Sequence, residues 1–217
     1  MKNAETPVLK LVLYGAISSF GSALMAEFLR RQHEVIAILD DLNALAPRPG
    51  LRTKVGNLFD AERVSQSVAG CSAVICLLDA HVLPVGSGET RPAITPGPVD
   101  QISATQNLIQ GMQRMGIKRL VLAGNFAVLD EAPETDEQQR NAAETIVELL
   151  RDSDLDWTLV NAPQGVLGLS IEHFSQISDT LEPGLAEPLE RLARVAAGIA
   201  DELLLNLHVR EHVNFVC

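Results

Sequence analysis

The sequence has few cysteines, a single tyrosine and no long hydrophobic run, and each scarcity argues against a class of protein. Its 217 residues include three cysteines, Cys71, Cys76 and Cys217. Their odd number and their spacing fit neither a disulfide framework nor a zinc site, so we interpret them as reduced thiols. No run of about eighteen apolar residues occurs, which argues against a membrane-spanning helix.

Basic residues are also scarce. The chain has 17 Lys and Arg residues against 28 Asp and Glu residues, a formal net charge of -11. This charge repels nucleic-acid phosphates and anionic lipid headgroups, so we expect neither nucleic acid nor a membrane as a partner. The first residues lack the hydrophobic segment of a signal peptide. We therefore expect a cytoplasmic protein that acts on a small molecule, and the composition leaves homo-oligomerisation open.

The length and composition are typical of one compact domain. The chain is 47% hydrophobic and 21% charged, and it contains neither an internal repeat nor a linker between unlike halves. We predict a single domain over residues 1–217. Within it, residues 163–187 are expected to be irregular, and residues 188–217 are expected to form a terminal helix and a final strand as a small C-terminal cap region.

Short apolar runs alternate with helical periodicities along most of the chain. This alternation predicts an α/β fold with a parallel sheet, because each pair of parallel strands needs a helical crossover. Strands are predicted at residues 9–14, 34–39, 53–55, 73–78, 119–123, 157–161 and 212–216. Helices are predicted from Gly21 onwards and at residues 60–69, 99–115, 136–151 and 189–207. The proline- and glycine-rich stretch 79–98 is predicted to be a functional loop.

A loop with two glycines follows the first predicted strand. It reads Gly-Ala-Ile-Ser-Ser-Phe-Gly over residues 15–21, and Asp40 ends the next strand 19 residues after Gly21. A glycine loop between a strand and a helix is typical of pyrophosphate binding, and an acid at that distance is typical of ribose binding. Taken alone, the same pattern also fits a plain tight turn followed by a solvated strand-end acid.

Further landmarks in the same order identify a family resemblance. They include Gly-Asn-Leu-Phe-Asp at 56–60, Gly-Ile-Lys-Arg-Leu-Val-Leu-Ala-Gly at 116–124, Asp-Leu-Asp-Trp-Thr-Leu at 154–159 and Ala-Gly-Ile-Ala-Asp-Glu-Leu at 197–203. Together they resemble the atypical short-chain dehydrogenase/reductase superfamily, and more narrowly its NmrA-like and NADH–flavin reductase branch. The resemblance implies a Rossmann-type, doubly wound parallel sheet that binds a nicotinamide dinucleotide.

The resemblance also implies a set of site residues. The pyrophosphate would meet the first loop, at Gly15, Ile17, Ser18, Ser19, Phe20 and Gly21. Asp40 would meet the adenosine ribose, and Asn57 would lie beside the adenine. The nicotinamide would be bordered by Leu78, Asp79, Gly124, Asn125, Asn161, Ala162 and Pro163. A substrate pocket beneath the 79–98 loop would be bounded by His81, Asn125, Phe126 and Gln164.

Two departures from the family pattern concern the cofactor. Ser18 stands where such loops usually carry their middle glycine, and its Cβ could obstruct the pyrophosphate or its hydroxyl could bind it. Asp40 and Asp41 stand where members that bind the phosphorylated cofactor place a basic residue. Because two carboxylates repel a 2′-phosphate, we predict a preference for NAD(H) over NADP(H).

A third departure concerns catalysis. Conventional short-chain dehydrogenases use a Tyr-x-x-x-Lys pair, but the corresponding positions here hold Asp136 and Arg140, and Tyr14 lies in the first strand. We therefore predict direct hydride transfer from NADH to a flavin or quinone, with flavin as a substrate and no metal site. The alternative is a non-catalytic, dinucleotide-sensing regulator with a degraded cofactor loop.

Overall fold

A computed structural model describes residues 7–80, 97–130, 136–163, 168–175 and 184–215. Within these residues, seven strands form one parallel sheet with the order β3-β2-β1-β4-β5-β6-β7. The strands are β1 (Lys10–Tyr14), β2 (Glu34–Leu39), β3 (Leu51–Val55), β4 (Ala73–Leu77), β5 (Arg119–Gly124), β6 (Asp156–Asn161) and β7 (Glu211–Val213). The helices are α1 (Ser19–Arg30), α2 (Ala61–Val68), α3 (Pro98–Arg114), α4 (Glu137–Asp152), α5 (Ile171–Ser175) and α6 (Ala186–Leu205).

The strand order confirms the predicted Rossmann-type doubly wound fold. Starting from β1, the chain builds outwards through β2 and β3, then returns to β4 on the other side of β1. Ligands of such sheets bind outside the carboxyl ends of the strands, at the point where the order reverses. The reversal here lies between β1 and β4, directly beside the 15–21 loop.

Both faces of the sheet are covered by helices, which explains the continuous apolar strands. In β1, Leu11 and Leu13 pack towards α1 and α6, whereas Val12 and Tyr14 pack towards α2, α3 and α4. Parallel sheets are stable only when both faces are buried in this way. All five residues of β4 are buried, as expected for a central strand.

Helix α1 is held to α6 by polar contacts as well as by its apolar face. The Glu27 side chain is only 11% exposed and accepts hydrogen bonds from Arg30 and Arg31. Arg31 also binds Asp201 of α6 at 2.5 Å. These positions are therefore part of a helix–helix contact.

A buried ion pair joins α6 to the centre of the sheet. Arg119, at the start of β5, lies 2.8 Å from Glu202, and their side chains are 10% and 2% exposed. The guanidinium of Arg119 also donates to the Thr158 hydroxyl, and the Glu202 carboxylate accepts from the His208 amide. Because both charges are almost fully desolvated, each depends on the other.

Several predicted boundaries need correction near the C-terminus. The segment 163–187 was predicted to be irregular, but it contains α5 and the start of α6. The final strand was predicted at 212–216 and instead spans Glu211–Val213. Most of the predicted 79–98 loop lies outside the described residues. No described helix has both the length and the apolar composition needed to cross a membrane.

Candidate dinucleotide-binding site

The 15–21 loop turns the chain from β1 into α1. Gly15 has φ +85°, in the left-handed region that glycine adopts without a Cβ penalty. The turn is closed by a hydrogen bond from the Ser18 amide to the Gly15 carbonyl at 3.2 Å. The loop is therefore a defined tight turn with α1 beginning at its end.

Ser18 serves as the N-cap of α1. Its hydroxyl donates to the Gly15 carbonyl at 2.8 Å and accepts from the Gly21 amide at 3.0 Å. Its φ is −69°, so this position does not require a glycine backbone. The Ser18 hydroxyl is therefore already engaged in stabilising the loop.

Gly21 is required for a close approach within the loop. A Cβ at this position would lie 2.2 Å from the Gly15 carbonyl oxygen and 2.8 Å from Ala16. Backbone atoms cannot move away as the end of a side chain can. The glycine therefore allows the first turn of α1 to fold back against the strand end.

Two amides at the start of α1 remain available to a ligand. The amides of Gly21 and Ser22 bind the Ser18 hydroxyl and carbonyl, whereas those of Ser19 and Phe20 have no acceptor among the described residues. The N-terminus of a helix carries partial positive charge and free N–H groups, which together bind anions such as a pyrophosphate. The residues present therefore fit a dinucleotide at this position.

A cleft of about 530 Å³ opens beside these amides at the carboxyl edge of the sheet. It brings together seven of the predicted site residues: Ile17, Ser18, Ser19, Phe20, Asp79, Ala162 and Pro163. Sequence reasoning missed the rest of its wall, formed by Ser22, Ala44, Leu45, Ala46, Leu77, Ala123 and residues 168–172. Leu77 and Ala123 lie at the predicted ends of β4 and β5, so the rule that ligands bind at strand ends could have found them.

The segment 168–175 forms one wall of the cleft and is tied to the loop. The hydroxyl of Ser19 accepts a hydrogen bond from the Leu169 amide at 3.0 Å. Glu172 of α5 forms an ion pair with Arg48, which lies between β2 and β3. These two contacts hold the segment against both the loop and the connection after β2.

Asp40 and Asn57 lie at the carboxyl ends of β2 and β3, outside the wall of this cleft. Asp40 is exposed, although local desolvation raises the pKa of its carboxyl above the ordinary value. The side chain of Asn57 accepts a hydrogen bond from the Phe59 amide at 2.9 Å. Both residues therefore lie on the β2–β3 side of the first loop.

The remaining predicted residues are placed apart from the cleft wall. Leu78 and Phe126 are each 2% exposed and belong to the core on the α2–α4 face, where the Phe126 ring packs against Gly124. Asn161 binds Asn214, and its Oδ1 accepts from His212 at 3.2 Å. His81 and Gln164 lie outside the described residues, and Asn125 contacts the Asp79 carboxylate through its backbone amide.

Asp79 is one of two carboxylates in the described wall of the cleft. It follows β4 in a 3-10 turn, Leu78–Ala80, and its Oδ1 accepts a hydrogen bond from Gln101 Nε2 at 2.8 Å. Burial raises the pKa of this carboxyl, and the bonds from Asn125 and Gln101 offset only part of the shift. An acid in this environment can hold a proton at a higher pH than a solvated one.

One protein-family model covers most of the sequence. Residues 15–200 match the family model for NAD(P)H-binding proteins. The chain belongs to this NAD(P)H-binding family. None of the curated proteins matches the sequence.

Solved structures share the fold of this NAD(P)H-binding protein. An exported-protein candidate from Burkholderia pseudomallei has 20% identity over 95% of this chain and 98% of its own, with a TM-score of 0.65. A short-chain dehydrogenase/reductase from Veillonella parvula in complex with NADP has 12% identity over 96% and 94%, with a TM-score of 0.64. The enzyme WbmH of Bordetella bronchiseptica in complex with NAD+ has 13% identity over 96% and 76%, with a TM-score of 0.61.

The structure of this NAD(P)H-binding protein also locates the positions of the conventional catalytic pair. Asp136 caps α4 and accepts hydrogen bonds from the amides of Gln138 and Gln139, at 3.0 and 3.3 Å. Arg140 lies in the first turn of α4, and neither residue is in the cleft wall. Tyr14 is 1% exposed, and burial raises the pKa of its phenol, so it cannot act as the missing proton donor.

The two described cysteines, Cys71 and Cys76, lie outside the cleft wall. Cys71 and Cys76 are buried free thiols, and burial raises the pKa of Cys71 to about 11. A thiol in this state is a poor nucleophile. Among the residues that the structure describes, no group of three His, Cys, Asp or Glu side chains is close enough to bind a metal ion.

Proposed function

We propose that this protein binds NAD(H) in the cleft beside α1 and reduces a quinone or flavin by direct hydride transfer. The observation that carries the proposal is the free N-terminus of α1, with the Ser19 and Phe20 amides facing no acceptor in the described chain. The dinucleotide supplies the hydride, and the protein aligns the two rings. The absence of a Tyr–Lys pair is compatible with this chemistry.

The charges around the cleft favour the cofactor without a 2′-phosphate. Asp40 and Asp41 follow β2, and the cleft wall described above contains no lysine or arginine. A 2′-phosphate near Asp40 would meet like charge, whereas a ribose hydroxyl can donate a hydrogen bond to the carboxylate. We therefore expect Asp40→Ser to weaken NADH binding and to reduce the preference for NADH over NADPH, both measured by calorimetry.

A charge placed beside the helix N-terminus tests the binding site. Ile17 lines the cleft and is 54% exposed, so a polar side chain there does not disturb the core. We expect Ile17→Asp to weaken NADH binding by about tenfold, or about 1.4 kcal/mol, because the carboxylate repels the pyrophosphate. Ile17→Asn has nearly the same size without the charge and serves as the control.

The readout should be calorimetry together with the fluorescence of NADH itself. Tryptophan fluorescence is less suitable, because Trp157 lies near the amino end of β6, at the opposite end of the strand from the cleft, and is 4% exposed. Equal NADH affinity in the Asp and Asn variants would contradict this location of the site. Binding of NADH without turnover of FMN, FAD or a quinone would instead favour the non-catalytic regulator.

A further inference from the structure

The Asp79 carboxyl presents one oxygen that the described protein leaves without a partner. Oδ1 accepts from Gln101 Nε2 at 2.8 Å, whereas Oδ2 is buried and has no hydrogen-bond partner among the described residues. A buried carboxyl oxygen without a partner is unfavourable unless it is protonated or meets a ligand. Because Asp79 lines the cleft, rotation of its carboxyl group can bring this covered oxygen to a bound molecule.

Two helices fix the orientation of this carboxyl. Gln101 of α3 is 5% exposed, and its Oε1 accepts a hydrogen bond from Gln139 Nε2 of α4 at 3.2 Å. Since the Gln101 oxygen is engaged with α4, its amide group points its donor at Asp79. A carboxyl held in this way is pre-organised in the manner of a catalytic group.

Asp79 also differs from the other titratable group in the cleft. The described wall contains two such side chains, Asp79 and Glu172. A hydrogen bond from Ser170 and the charge of Arg48 hold the pKa of Glu172 below its ordinary value, so this carboxylate stays ionised. Burial has the opposite effect on the pKa of Asp79.

The groups that contact Asp79 in the described chain are neutral. The thiol of Cys76 is the titratable group coupled to it within the described chain, and burial raises the pKa of that thiol, which therefore remains neutral. The contacts with Gln101 of α3 and with the backbone amide of Asn125 carry no charge. Burial is therefore the main influence on the pKa of the Asp79 carboxyl.

We propose that Asp79 is the catalytic acid of this protein, and that its Oδ2 protonates a carbonyl oxygen of a quinone-type substrate in the cleft. The inference rests on the proposed function and deepens it, because it selects a conjugated carbonyl over a flavin. Transfer to a flavin needs no protein acid, whereas a carbonyl oxygen gains a proton as it is reduced. The apolar wall at Leu77, Ala123 and Ala162 suits a planar, uncharged ring.

Reduction of a quinone to a hydroquinone requires two electrons and two hydrogens. The quinone gains two electrons and one hydrogen from the reduced dinucleotide, and it gains its second hydrogen as a proton from Asp79. One C–H bond of the reduced dinucleotide and the Oδ2–H bond break, two O–H bonds of the hydroquinone form, and the dinucleotide is left oxidised. The Asp79 carboxylate then recovers a proton from water.

Asp79→Asn provides the main test, with 2-methyl-1,4-naphthoquinone and FMN as the probes. Asparagine keeps an oxygen that can accept from Gln101 but has no proton to donate. We expect kcat with the quinone to fall by a factor of about 10²–10⁴, and to fall at least about tenfold more than kcat with FMN.

The pH dependence gives a further comparison. In the unsubstituted protein, kcat with the quinone should decrease as pH rises and Asp79 ionises, whereas the residual rate of Asp79→Asn should be independent of pH. Glu62→Gln, at an exposed position of α2, is the matched control.

A second measurement does not depend on turnover. Infrared spectra of the cofactor-free protein should contain the C=O stretch of a protonated carboxyl that disappears as pH rises, and Asp79→Asn should lack this band. Gln101→Leu leaves Asp79 in place but removes a donor to its ionised form. Both the band and the quinone rate should therefore titrate at a higher pH in Gln101→Leu.

The two proposals fail in distinguishable ways. Failure of NADH to bind to the unsubstituted protein would overturn the proposed function and the role of Asp79 together. Normal NADH binding with an unchanged quinone kcat in Asp79→Asn would overturn the role of Asp79 alone. An infrared band that persists in Asp79→Asn, with no shift in Gln101→Leu, would overturn it as well.

Discussion

The side-chain oxygen of Ser18 lies 3.0 Å from the amide nitrogen of Gly21 and accepts its hydrogen bond. This contact caps α1 and, with the bond to the Gly15 carbonyl, fixes the turn beside the cleft. The residue that departs from the glycine pattern of the family thus has a structural role. A serine at the N-cap satisfies a helix amide that a glycine would leave to solvent or ligand.

Ser18→Ala should lower the free energy of unfolding by about 1 kcal/mol, because it removes this cap. Ser18→Thr keeps the hydroxyl and should retain most of the stability. Urea denaturation measures both. We expect the affinity for NADH to change by less than about threefold in either variant, and a large loss of affinity at unchanged stability would show that the hydroxyl binds the ligand.

Gly21→Ala should destabilise the protein by about 1–3 kcal/mol or more, because the new Cβ meets the Gly15 carbonyl oxygen at 2.2 Å. Gly198→Ala in α6 is the comparison, since its Cβ would meet the Phe215 ring at 2.6 Å, and a ring near the chain end can shift. Thermal and urea unfolding should place Gly198→Ala closer to the unsubstituted protein. The reverse order would show that the first loop is more plastic than its geometry indicates.

Glu202→Gln should cost about 3–5 kcal/mol, because it leaves the buried Arg119 guanidinium without its counter-charge. Glu190→Gln makes the same chemical change at an exposed pair with Arg194 and should alter stability by about 0.5 kcal/mol or less. Equilibrium unfolding in urea at neutral pH compares the two. Similar effects of both substitutions would mean that water solvates the Arg119 site.

Glu27 should contribute a pH-dependent part of the stability. Burial opposes its ionisation, but hydrogen bonds from Arg30 and Arg31 dominate and hold the pKa of its carboxyl below the ordinary 4.5. A group with a lowered folded-state pKa stabilises the protein above its unfolded pKa and loses that contribution as pH falls through the folded one. The stability difference between the protein and Glu27→Gln should therefore shrink below about pH 4.5. Urea unfolding from pH 7 to pH 3 measures it, and a constant difference would contradict the pairing.

Much of the fold could be predicted from the sequence because the sheet is covered on both faces. A strand such as β4 has no polar position, so its run of apolar residues is visible without knowledge of its neighbours. The predicted end of that strand also indicated that Asp79 lies at the carboxyl edge of the sheet. Its contact with Gln101 could not be predicted, because it depends on how α3 packs against the sheet.

The cleft wall formed by residues 168–175 has no comparable pattern in the sequence. Helix α5 has five residues, too few to establish a helical period, and Leu169 binds the Ser19 hydroxyl through its backbone amide. A backbone contact leaves no residue preference in a single sequence. For the same reason, the role of Ser18 as a cap could be recognised only when its φ and its two hydrogen bonds were known.

The bond between Ser19 and Leu169 joins residues 150 positions apart. A ribosome that adds 5–20 residues per second needs roughly 8–30 seconds to extend the chain from one to the other. During that interval the nascent protein can form β1, α1 and β2 but cannot enclose the cleft. The complete cleft can therefore hold a dinucleotide only after residue 169 has been added, and shorter products of interrupted translation lack this wall of the site.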